Sequence, residues 1–91
     1  MKIKGNEVLW LSNKGNVAVA YSQFDLGEKY KVYRKVRYDE NSMWECSIGF
    51  GTQGEATRYA ERILDVEVER LYITNQTGKW LKYSDEELKN M

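Results

Sequence analysis

The chain has 91 residues, room for one domain (residues 1–91) and too few for two. With 42% hydrophobic and 31% charged residues it is a globular chain, and its 14 basic and 14 acidic side chains cancel, which excludes a strongly basic nucleic-acid coat or a polyanionic tail. One cysteine excludes an internal disulfide framework, and the lack of histidine removes the commonest general base and transition-metal ligand.

No apolar run follows the basic start Met1–Asn6, so it does not read as a signal peptide, and no stretch approaches the length of a membrane span; the expected location is the cytoplasm. Glu7 to Ser12 reads as a strand, Asn13-Lys14-Gly15-Asn16 as a turn, and Val17 to Gln23 as the returning strand. Setting Leu11 opposite Val17 puts Leu9, Leu11, Val17 and Val19 on one side, and Val8, Trp10, Ala18 and Ala20 on the other. Both sides are apolar, so either each is covered or one is a binding surface. After a loop at Asp25–Glu28, Lys29 to Tyr38 alternates. Tyr30, Val32, Val36 and Tyr38 point one way, and Lys29, Lys31, Tyr33, Lys35 and Arg37 the other. Asp39–Ser42 breaks the run. Trp44, Cys46, Ile48 and Phe50 follow at period two, and pairing Tyr38 with Trp44 keeps the apolar sets together and sets Arg37 opposite Glu45.

Thr52-Gln53-Gly54-Glu55 is a capping box opening a helix to about Leu64 or Asp65, with Ala56, Tyr59, Ala60 and Ile63 on one stripe. Residues 66–73 alternate like a strand, although a continued helix also fits. Asn75–Gly78 reads as a turn, Lys79–Tyr83 as a short strand, and Ser84–Glu87 as a second capping box opening a brief helix. The expected fold is α+β: a mostly antiparallel β-meander (ββββα) with one main helix packed on the sheet, then a C-terminal β-hairpin and short helix.

Gly49-Phe50-Gly51-Thr52-Gln53-Gly54 matches the spacing of a dinucleotide fingerprint, but it follows an antiparallel hairpin with only a short chain remaining, so it reads as a softened loop feeding a capped helix. Cys46, alternating with Trp44 and Ile48, reads as buried and inert. No catalytic or metal-binding set emerges, and no cofactor is expected. The basic row Lys29, Lys31, Tyr33, Lys35, Arg37 interleaves cations with a ring that can stack on a base. Residues 1–37 hold eight basic and three acidic side chains, and residues 38–91 six and eleven, a polarity suited to a protein partner of mixed charge or to self-association.

Two strands with a basic, aromatic first member, followed by Phe50-Gly51-Thr52-Gln53-Gly54-Glu55-Ala56 and a helix carrying Tyr59 and Ala60, resemble the three-strand-plus-helix arm-binding domains of phage and transposon integrases over residues 29–64. That resemblance implies a sheet inserted into the DNA major groove, with Lys31, Tyr33, Lys35 and Arg37 as the contacts. The size and style also resemble small accessory or inhibitor proteins of bacteria and phages. The expected function is therefore non-catalytic binding of a protein, or self-association, through Trp10, Ala18, Ala20 and Trp80. The alternative is nucleic-acid binding by the basic row.

Overall fold

The structure, a computed structural model, describes residues 1–38, 41–70, 72–74 and 80–82, with side chains through Glu69. The expected turn at Asn75–Gly78, the C-terminal helix at Ser84–Glu87, and the side chain of Trp80 lie outside the described residues. The strands are β1 (Lys2–Ile3), β2 (Asn6–Leu11), β3 (Val17–Tyr21), β4 (Tyr30–Tyr38) and β5 (Asn41–Phe50), followed by α1 (Gln53–Arg62), β6 (Val68–Arg70), β7 (Tyr72–Thr74) and β8 (Trp80–Lys82). β1 to β5 form an antiparallel meander in chain order with α1 packed on one side, the expected α+β class, and β7 and β8 pair as an antiparallel hairpin.

Two features were not foreseen. The short β1 folds onto β2 through Lys4-Gly5, both at positive φ (51° and 82°), the backbone that a tight two-residue hairpin demands. β6 pairs parallel to β4, with Val36 opposite Val68, because α1 returns the chain to the edge of β4 that β3 has left. β3 covers β4 from Tyr30 to Arg34, and β6 covers it from Val36 to Tyr38.

A bulge corrects the expected face of Trp10. Val8 pairs with Ala20 but Trp10 pairs with Val19, so Leu9 is extra and the two flanking side chains go to opposite sides. Trp10 joins Val17, Val19, Val32, Ala56 and Ala60 under the helix, together with Tyr30, Phe50, Tyr59 and Ile63. Val8 joins Ile3, Ala18, Ala20 and Tyr33 on the other side, where the curled sheet and Trp44 close over the alanines. Leu11 pairs with Ala18 rather than Val17 and is exposed. Both faces of the first hairpin are thus covered where β3 runs: Val17 to Ala20 are all fully buried.

The second hairpin is three residues tighter than expected. Tyr38 pairs with Asn41, so Arg34, not Arg37, faces Glu45, and Trp44 faces Lys35. An odd shift inverts parity. A second bulge then restores it: Tyr33 pairs with Cys46 and Val32 with Ile48, leaving Ser47 extra. Ile48 and Phe50 therefore share the helix side with Val32 and Tyr30, as expected, while Trp44 and Cys46 lie on the other side. Cys46 is exposed, which corrects its reading as a buried residue.

Thr52 caps α1 as expected, its Oγ1 accepting from the Glu55 amide at 3.3 Å. Ala56 and Ala60 let the helix approach the sheet closely, and the Phe50 and Tyr59 rings stack tilted at 5.5 Å. Beyond the helix, Asp65 clasps the β2–β3 turn: its carboxylate accepts from Ser12 Oγ (2.8 Å) and from the amides of Lys14 (2.7 Å) and Asn16 (3.1 Å). Desolvation pushes its pKa up, but these donors outweigh that and hold it below the usual carboxylate value.

Candidate functional site

The loop from Ser22 to Lys29 joins β3 to β4. At its base the Tyr21 and Tyr30 rings pack 5.4 Å apart, and the Ser22 amide donates to the Lys29 carbonyl at 2.7 Å. Asp25 organises the rest. Its Oδ1 accepts from the amides of Gly27 (3.0 Å) and Glu28 (3.1 Å), an Asx turn, and its Oδ2 lies 2.7 Å from Lys31 Nζ. The lysine contact, with help from the two amides, draws the Asp25 pKa from 3.8 down to about 2, and Asp25 in turn raises that of Lys31. Gly49 makes room for this arrangement, since a Cβ there would stand 2.8 Å from the Glu28 Cβ. The first glycine of the fingerprint-like run thus serves loop packing.

A loop held this firmly presents two large apolar side chains to water. Phe24 is 86% exposed and Leu26 is 97% exposed. Beside Phe24 lies a depression of about 210 Å³, edged by Lys2, Asn6, Glu7, Tyr21 and Gln23. That is smaller than the few hundred Å³ typical of a cofactor site. Among the described residues no three His, Cys, Asp or Glu side chains gather as a cation site, and no helix is long and apolar enough to cross a membrane.

Lys31, Tyr33, Lys35 and Arg37 lie on one side of β4 as expected, and each meets another side chain of the protein. Lys31 pairs with Asp25. Tyr33 is buried, its hydroxyl accepting from Asn6 Nδ2 at 3.1 Å, so its ring offers no face to a base. Lys35 Nζ sits 5.8 Å from the centre of the Trp44 ring. Arg37 reaches Glu67 at 3.8 Å and pairs with Glu69. Lys29 is half-buried in the loop just before β4. Of the expected protein-contact residues, Ala18 and Ala20 are fully buried and present no surface, because the sheet curls over them, and Trp10 is half-buried against the helix cluster.

Sequence reasoning passed over Phe24 and Leu26. Their signal was two large apolar residues flanking Asp25 in a glycine-containing loop, where neither strand's alternation needs them. No family model, curated protein or solved structure matches the chain.

Proposed function

We propose that the protein is a non-catalytic binding module that engages another protein through the Phe24–Leu26 loop. The observation that carries this reading is the pairing of near-complete exposure of two apolar side chains with the Asx turn and the Asp25–Lys31 contact beneath them. A loop fixed by an Asx turn and an ion pair loses little entropy when it docks, and a Phe and a Leu inserted into an apolar pocket make a typical interface anchor. The engaged state of Lys31, Tyr33, Lys35 and Arg37 favours this reading over nucleic-acid binding.

The test replaces Phe24 with a photo-crosslinking phenylalanine to trap the partner, followed by titration of the purified partner with wild type and with the Phe24→Ser, Leu26→Ser double variant. The double variant is expected to bind at least about 30-fold more weakly at unchanged melting temperature. Equal affinity of the two proteins overturns the reading, and a mobility shift of DNA or RNA at low salt restores the nucleic-acid alternative.

A further inference from the structure

Helix α1 exposes Glu55, Arg58 and Arg62, and with the half-buried rings of Phe50 and Tyr59 these edge a depression of about 210 Å³. That volume suits one large side chain and is too small for a cofactor. The two rings pack 5.5 Å apart against the buried cluster under the helix, so the inner wall of the depression is apolar and backed by the core. The outer wall is cationic. Arg58 and Arg62 stand one turn apart, a like-charge spacing that weakens a helix. Among the described residues the ion pairs belong to Lys31 and Arg37, and neither arginine of α1 pairs with a carboxylate. Arg58 Nε donates to the Gly54 carbonyl at 3.3 Å, which steadies the side chain along the helix. At 3.6 residues per turn, Glu61 projects from the flank of Arg58 away from Tyr59, outside the cleft.

We propose that this cleft receives an acidic segment of a partner protein: an apolar side chain packs on the Phe50 and Tyr59 rings, and a neighbouring carboxylate pairs with Arg58 and Arg62. Charge complementarity selects this occupant. A carboxylate between the two guanidinium groups relieves their repulsion, and the aromatic wall beside them rewards an apolar residue next to the acid. Glu55 argues for peptide over nucleic acid. It lies at the N-terminal end of the cleft, where a continuous phosphate backbone would meet it, whereas a peptide can place a neutral residue there. The cleft is separate from the Phe24–Leu26 loop, and the inference does not rest on the role proposed for that loop.

The test titrates isotope-labelled protein with a capped synthetic peptide, a central phenylalanine flanked on both sides by glutamates. Saturable NMR shifts are expected at the side-chain Nε–H signals of Arg58 and Arg62 and at the ring signals of Phe50 and Tyr59. Exchanging the peptide's glutamates for glutamines, or its phenylalanine for serine, is expected to weaken binding at least about threefold. The Arg58→Gln, Arg62→Gln variant is expected to lose as much at unchanged melting temperature, while the Phe24→Ser, Leu26→Ser variant binds the peptide as wild type does. No saturable shift at millimolar peptide, equal binding of the glutamine peptide, equal binding by the arginine variant, or loss of binding in the loop variant each overturns the proposal. So does a single-stranded oligonucleotide that shifts the same arginines at lower concentration than the peptide.

Discussion

Asp25 and Trp10 show how much a single position decides. Asp25 both shapes the loop and holds Lys31. Because its folded pKa lies below its unfolded one, its contribution is complete above pH 3.8 and disappears as the pH falls toward about 2. The amide signals of Gly27 and Glu28 should therefore titrate with a midpoint near pH 2 in an NMR series, and Asp25→Asn should abolish that transition. A midpoint at the ordinary carboxylate value would remove the ion pair from the account. Trp10 was a candidate contact residue on the sequence alone, and in the structure it packs half-buried against the α1 cluster. Trp10→Ala should cost about 2 kcal/mol of stability, less than a fully buried tryptophan, as read by denaturant unfolding. Unchanged stability would return it to the surface.

At the level of elements, the strands, the turns and the helix cap were legible because each rests on local chemistry: alternation, Asn and Gly at reversals, Thr52 three residues before Glu55. The faces were less legible. Parity assigns sides only along an uninterrupted ladder, and an extra residue at Leu9 or Ser47 inverts everything beyond it while leaving the local pattern unchanged. Hence Val8, Ala18 and Ala20 grouped as expected while Trp10 did not, and Cys46 faced water. The loop carrying Phe24 and Leu26 was legible only as a loop, since exposure follows from tertiary support. Ser47 gives a test at this level. Deleting it makes the β4–β5 ladder continuous while Cys46 still faces Tyr33 and Ile48 still faces Val32, so both sets keep their sides. The deletion should leave the fold and the Phe50–Tyr59 ring contact seen in NOE spectra intact, with the melting temperature little changed. Loss of that contact would show that the extra residue is needed for more than restoring the alternation.

Across the whole molecule, β4 is the common member. It carries Val32 toward the helix, Tyr33 toward the alanine side, and Val36 and Tyr38 into a third small cluster with Val68. The charge asymmetry of the two halves is partly spent here, where Arg37 of the basic half meets Glu67 and Glu69 of the acidic half. Val68→Asp places a carboxylate against Val36 and Tyr38. It should speed amide hydrogen exchange at the β4 end shared with β6 by at least about tenfold while leaving Val32 protected. Uniform acceleration would show that the sheet opens as one unit.

The way β6 completes β4 also sets an order on the making of the protein. The ribosome delivers both strands of the long hairpin and the helix before residues 68–70 emerge, so until then the nascent chain exposes a short notch beside Val36 and Tyr38. A product truncated before Val68 would leave the β4 backbone from Val36 to Tyr38 without its parallel strand on that side.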